Sequence, residues 1–143
     1  MIILDTNVIS GLMHEQPDAA ALRWLDRQPR ASVWTTAITV LEVRFGLEIM
    51  PDGRRRLARS EALRRLTDEK LERRIAPFDD AAAQATALLM GARQRRGEPR
   101  ELRDSMIAGI ALARRATLAT RNLRHFDDAG IDLIDPWAAP KTR

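Results

Sequence analysis

The chain opens with Ile2-Ile3-Leu4, an apolar run of three residues ended at once by Asp5-Thr6-Asn7. A run so short and so uniformly apolar cannot be an amphipathic helix, and Asp-Thr-Asn supplies cap and turn chemistry, so it reads as a buried parallel strand that hands the chain directly to a helix. The same alternation recurs. Ser32-Val33-Trp34-Thr35 is a second short strand, and Thr36 or Thr39 caps a helix carrying Ile38, Leu41, Glu42, Phe45 and Ile49, which Pro51-Asp52-Gly53 ends. Residues 74–78 lead as a strand into Asp79-Asp80, the cap of a helix with Ala81, Ala85, Leu88, Leu89 and Ala92 on one face. Residues 104–116 form a helix with Ile107, Ala108, Ala111 and Leu112 inward, residues 117–120 a strand, and residues 131–134 a last edge strand. Strands alternating with helices require right-handed crossovers around a sheet covered on both sides. The expected fold is a three-layer α/β/α sandwich with a mostly parallel central sheet.

Two segments sit outside that rhythm. Residues 18–28 form a first crossover helix, stopped by Pro29. From residue 54 to about 71 the apolar positions Leu57, Leu63, Leu66 and Leu71 are sparse among charges, which predicts an exposed helix packed by one narrow stripe and the surface best suited to self-association or a partner.

With 143 residues the chain is one domain over 1–143, with a Pro- and Ala-containing tail at 136–143 expected to be loose. No run approaches the roughly 20 apolar residues that span a bilayer, and Met-Ile-Ile-Leu-Asp lacks a signal peptide's basic start, so a cytoplasmic location without membrane contact is expected. Zero cysteines exclude disulfides and thiolate chemistry, and two isolated histidines argue against a histidine-rich metal site.

Carboxylates remain as metal ligands. Asp5, Glu42 and Asp104 each stand beside apolar sequence, and a carboxylate taken from water costs several kcal/mol, by the usual estimate about that, unless a cation or hydrogen bonds compensate. Each has an ordinary reading: Asp5 and Asp104 as helix caps, Glu42 as an inward glutamate paired to an arginine. One divalent ion explains all three together. Hard oxygen ligands select Mg2+ or Mn2+, which suits phosphodiester cleavage. The net charge of +4 and the runs Arg54-Arg55-Arg56, Arg64-Arg65, Arg73-Arg74 and Arg95-Arg96 fit a nucleic acid or an acidic protein partner. Arg121, Arg124 and Arg103 fall near the proposed cleft.

Four stretches carry a resemblance: residues 3–10 (Ile-Leu-Asp-Thr-Asn-Val-Ile-Ser), residues 39–46 (Thr-Val-Leu-Glu-Val-Arg-Phe-Gly), residues 102–108 (Leu-Arg-Asp-Ser-Met-Ile-Ala) and residues 118–126 (Leu-Ala-Thr-Arg-Asn-Leu-Arg-His-Phe). In order and spacing the chain resembles the PIN-domain ribonucleases, specifically VapC-type toxins and their FitB-like branch. The resemblance implies that Asp5, Glu42 and Asp104 bind the metal and that Thr120 shapes the site. At the family's fourth acidic position this chain has Asn122, with His125 nearby and Asp127 and Asp128 after Phe126. Asn122 is the fourth catalytic candidate, a neutral oxygen donor, which leaves a three-carboxylate site.

The resemblance further implies a homodimer, an RNA substrate, and a VapB- or FitA-like antitoxin whose C-terminal segment blocks the acidic cleft with an inserted arginine; DNA is then contacted only through the antitoxin. The stripe from Leu57 to Leu71 would receive an apolar partner helix. The expected function is a Mg2+- or Mn2+-dependent endoribonuclease, the toxin of a type II pair. The alternative is a non-catalytic RNA- or protein-binding module of the same fold.

Overall fold

A computed structural model describes residues 1–138. Five short strands, β1 (Ile2–Leu4), β2 (Val33–Thr36), β3 (Ile75–Ala76), β4 (Thr117–Ala119) and β5 (Leu133–Ile134), form one sheet in the order β3-β2-β1-β4-β5. Every pairing is parallel, with Ile3 opposite Trp34 on one side and Leu118 on the other. The strand order reverses beside β1, and in open parallel sheets ligands bind beyond the carboxyl ends of the strands at that reversal. Asp5 and Thr120 follow the two strands that meet there.

Six helices cover the sheet: α1 (Thr6–Leu12), α2 (Ala19–Asp26), α3 (Ala37–Glu48), α4 (Arg54–Arg64), α5 (Asp80–Arg95) and α6 (Leu102–Arg114). Successive strand residues point to opposite faces, and two cores result. Ile3 and Leu118 join Ala82, Leu89, Ile107 and Ile110 of α5 and α6; Leu4 and Ala119 join Val8, Leu25, Val43, Leu47 and Leu63 of α1 to α4. The α/β/α sandwich expected from the alternation is present, and its sheet is parallel throughout.

Three details differ from the sequence reading. On α3 the buried residues are Ile38, Thr39, Val43 and Leu47, while Leu41, Phe45 and Ile49 stand 55%, 55% and 69% exposed. The apolar row at spacing four points outward, and a smaller row fills the tight space against the sheet. On α5 the buried face is Ala82, Thr86, Leu89 and Arg93, and Leu88 is exposed. The stripe after α4 is divided: Leu63, Leu66 and Leu71 are buried, Leu57 is exposed, and the helix loosens into a wider π-type turn at Arg65–Lys70.

Helices α5 and α6 lie very close, because Gly109 has no side chain. A Cβ there would stand 1.7 Å from Thr86 Oγ1 and 2.8 Å from the Ala82 carbonyl oxygen. Of the tail expected to be loose, Pro136 is buried and Trp137 packs against the α1 to α4 core, while residues 139–143 lie outside the described residues. Among the described residues no helix is long and apolar enough to cross a membrane.

Candidate active site

The backbone places Asp5 first. Its N–H donates to the Ala119 carbonyl (2.9 Å), extending the β1–β4 pairing one residue past the strand ends, and its carbonyl accepts from Val8 and Ile9 to start α1. The side chain is therefore fixed between strand and helix, 3% exposed. Oδ1 accepts from the Thr6 N–H (2.8 Å); Oδ2 accepts from Thr120 Oγ1 (2.8 Å) and Asn7 Nδ2 (3.3 Å). Thr120 Oγ1 in turn accepts from Asn7 Nδ2 and from the Asn122 N–H, and Asn7 Oδ1 accepts from the Arg121 N–H. Asp5 does cap its helix, as the ordinary reading required, yet one oxygen is held by the loop after β4 as well. Burial raises its carboxyl to about pH 6 against these hydrogen bonds, and the charges of Asp104 and Glu42 push the same way.

Glu42 reaches the same place from α3. A directed line of hydroxyls leads to it: Thr36 Oγ1 donates to Thr39 Oγ1 (3.3 Å), Thr39 and Thr6 Oγ1 are 3.1 Å apart, and Thr6 Oγ1 donates to Glu42 Oε1 (2.9 Å). Each threonine has one proton to give, so the line ends with all hydroxyls oriented and the carboxylate as final acceptor. Arg103 Nε lies 4.0 Å from the other oxygen of Glu42 and 3.1 Å from Glu101. Among the described residues no buried arginine pairs with Glu42. Burial raises the Glu42 carboxyl, Thr6 and Arg103 oppose the shift, and Asp104 adds to it.

Asp104 lies in the first turn of α6. It does not cap the helix: Glu101 does, accepting from the Asp104 N–H at 2.9 Å. That frees the Asp104 side chain, whose Oδ2 is 2.9 Å from His125 Nδ1. Burial raises its carboxyl, and His125 is the strongest opposing influence.

The three acids expected from sequence thus converge, and they feel one another's charge. Asn122 stands at the rim, exposed, its N–H tied to Thr120. Asp127 and Asp128 turn away, toward Arg100 and toward Arg93, Arg96 and Arg100. Of the expected basic rim Arg103 faces the acids, while the Arg121 guanidinium lies 4.7 Å over the Trp137 ring. Sequence reasoning missed Thr6, Asn7 and His125 as groups that orient the carboxylates. Asn7 was visible in the Asp-Thr-Asn triplet but read only as a cap.

A divalent cation fits this donor set by its chemistry: hard carboxylate oxygens from three segments, all held above their ordinary protonation range chiefly by burial, with neighbouring acids adding to it, which a cation relieves. Among the described residues no three acidic or histidine side chains form a closed ligand cage, so the acids are gathered without being drawn together.

Comparison with known proteins follows the same lines. The PIN domain family model matches residues 2–131. The chain is 42% identical over 137 residues to the VapC ribonuclease Y4jK of Sinorhizobium fredii, covering 96% of this chain and 98% of the relative. It is 33% identical to Toxin FitB of Neisseria gonorrhoeae, covering 96% and 99%. A solved structure of FitAB bound to an IR36 DNA fragment superposes with a TM-score of 0.88 at 31% identity, covering all of both chains.

Proposed function

The chain belongs to the PIN-domain family, in its VapC- and FitB-type branch, and from that premise we propose that it is the toxin of a toxin–antitoxin pair, an endoribonuclease that hydrolyses RNA in the cytoplasm using Mg2+ or Mn2+. The observation that carries this reading is the convergence of Asp5 from the β1–α1 junction, Glu42 from α3 and Asp104 from α6 at the strand-order reversal of the sheet. Burying one carboxylate to 3% exposure beside two others is costly, and a site that needs their charge explains why it persists.

In this reading Asp5, Glu42 and Asp104 would hold the ion. A divalent ion held there would supply Lewis-acid polarisation of a phosphodiester and activation of water. The protein's own groups prepare the ligands. Thr120, Asn7 and the Thr6 N–H fix both oxygens of Asp5, Thr6 fixes one oxygen of Glu42, and His125 fixes one oxygen of Asp104, so each carboxylate keeps its orientation before substrate arrives. Arg103 reduces the repulsion between Glu42 and an incoming phosphate.

The antitoxin has a seat of suitable character. A groove of about 490 Å3 between α2 and the end of α4 is floored by Leu12, Leu22, Leu25, Ala62 and Leu66, and takes an amphipathic helix. The expected second copy of the chain has the outward row Leu41, Phe45 and Ile49 of α3 on which to pack.

A second reading has Asn122 in its favour: an uncharged, exposed side chain stands at the fourth acidic position, which suits a module that binds without turnover. Incubating the protein, freed of any partner, with structured RNA and Mg2+, Mn2+ or EDTA decides between them. Metal-dependent cleavage that disappears in Asp5→Asn supports the nuclease; binding without cleavage by either protein, across several RNAs, assigns the module.

A further inference from the structure

A groove of about 1040 Å3 runs along α4, between that helix and the turn that follows α1. Arg54, Arg55 and Arg59 line its α4 wall, with Ala58 between them keeping the floor low. Arg55 and Arg59 are four residues apart on one helix face, about 6 Å along the axis. Among the described residues Arg54, Arg55 and Arg59 have no carboxylate within ion-pairing distance, whereas their neighbours Arg56, Arg64 and Arg65 are all paired, with Glu48 and Asp52 or with Glu61. Of the two acids in the groove, Glu61 is already engaged by Arg64 and Arg65, and Glu15 lies across from them after α1. Adjacent unpaired guanidiniums repel one another, and a polyanion relieves that repulsion.

The groove does not end at the arginines. A second cavity of about 210 Å3 shares Met13, His14 and Arg59 with it and reaches Thr6 and Glu42. We propose that this groove is the path of the RNA strand, with backbone phosphates on Arg54, Arg55 and Arg59 when the scissile phosphate is at Asp5, Glu42 and Asp104; the proposal rests on the ribonuclease reading above. No Phe or Trp lines the groove, so it lacks the large aromatic platforms on which successive unpaired bases stack. It grips the backbone by charge and without regard to sequence. An acidic protein segment would satisfy the arginines too, but only the substrate of the ribonuclease reading has a reason to run on from the arginines to Glu42.

The test is binding of a fluorescent 12-nucleotide oligouridylate to the full chain in EDTA, from 50 to 200 mM KCl, for the wild type, Arg55→Gln/Arg59→Gln and Arg55→Lys/Arg59→Lys. Each phosphate contact contributes about 0.7 to the slope of log affinity against log salt on a single strand. The glutamine variant is expected to lose about 1.4 of that slope and bind at least about 10-fold more weakly at 50 mM KCl, with an unchanged Tm, while the lysine variant keeps the slope because a point charge serves a phosphate track. Equal affinity and slope in the glutamine variant overturns the proposal. So does a variant that still binds the oligouridylate but no longer binds an oligoglutamate peptide, which would assign the groove to a protein. If the wild type cleaves no RNA in Mg2+ or Mn2+, the ribonuclease reading fails by itself, and the slopes still decide what the groove binds.

Discussion

Arg93 and Asp128 meet side-on, with Nε 2.9 Å from Oδ2 and Nη2 2.8 Å from Oδ1, although Arg93 is only 1% exposed and the two lie 35 residues apart in sequence. The same guanidinium donates through Nη1 to Ser105 Oγ (2.9 Å) and through Nη2 to the His125 carbonyl (3.3 Å). Ser105 follows Asp104, and His125 holds the Asp104 carboxylate. One buried cation on α5 thus ties together α6 and the loop that carries His125, the two segments that set Asp104 in place.

The two ends of this pair are not equivalent. Asp128 also has Arg96 at 2.7 Å and Arg100 at 3.5 Å, and these guanidiniums hold its carboxyl down to about pH 2, with Arg93 the main cause. Among the described residues Arg93 has no second carboxylate. Removing Asp128 strands a buried charge, at a cost of about 3–5 kcal/mol, whereas Arg93→Met removes the charge and leaves Asp128 paired. Asp128→Ala is therefore expected to lower the urea midpoint by more than twice as much as Arg93→Met. Equal losses would mean that Asp128 does not depend on Arg96 and Arg100.

Asp5 makes stability depend on pH in the opposite sense to a salt-bridged acid. Its carboxyl titrates near pH 6 in the folded protein against 3.8 ordinarily, chiefly through burial. Between those values the folded state keeps a proton that the unfolded chain has released, so the metal-free protein loses stability as pH rises from about 4 to 6, by on the order of 3 kcal/mol. Glu42 and Asp104, also raised, add in the same direction. Asp5→Asn cannot ionise. It is expected to melt above the wild type at pH 8, to lose that advantage by pH 4, to cleave RNA at least about 100-fold more slowly, and to gain little in Tm from Mn2+. Parallel melting curves across pH for the two proteins would remove burial of the charge as the cause.

The elements that sequence made legible are those whose determinants are local. Ile2-Ile3-Leu4 followed by Asp5 contains both the strand and its stop, and Thr36 and Asp79 cap α3 and α5 as read. Glu42 stands in sequence on a helix with the apolar residues Phe45 and Ile49, and those two point to solvent while Glu42 turns to Thr6. Hydrophobicity alone does not separate a core row from one left for a partner. Arg93 within the α5 core and His125 beside Asp104 were not legible, because their partners lie 35 and 21 residues away and nothing near them in sequence marks the pairing.

Gly109 sets how closely α6 approaches α5, and with it the position of Asp104 relative to Arg93. A Cβ at 109 would meet not only Thr86 Oγ1, which rotates, but also Thr86 Cβ at 2.9 Å and the Ala82 carbonyl oxygen at 2.8 Å, which do not. Gly109→Ala is expected to cost about 1–3 kcal/mol by overpacking, in excess of any helix propensity gained. Thr86→Ala in the same chain should recover only part of that, since the Ala82 carbonyl remains. Full recovery, measured by urea unfolding of the single and double variants, would show that the hydroxyl alone fills the space.

Asn122 is the informative position at the site itself. Its N–H donates to Thr120 Oγ1, whose own proton goes to Asp5, so residue 122 is one hydrogen-bonded step from the most buried acid while its side chain stays at the exposed rim. Asn122→Asp keeps that backbone bond and adds a fourth carboxylate near three that already repel. Without metal the variant is expected to be less stable than the wild type at pH 8, because the added charge raises the cost of ionising Asp5. With metal the sign reverses: more ligand charge tightens binding, and a gain in Mn2+ affinity of about 10-fold by isothermal titration is expected. A variant with unchanged Mn2+ affinity and unchanged stability at pH 8 would place residue 122 outside the reach of the three acids, leaving Thr120 as the only contribution of the loop after β4 to the ligands.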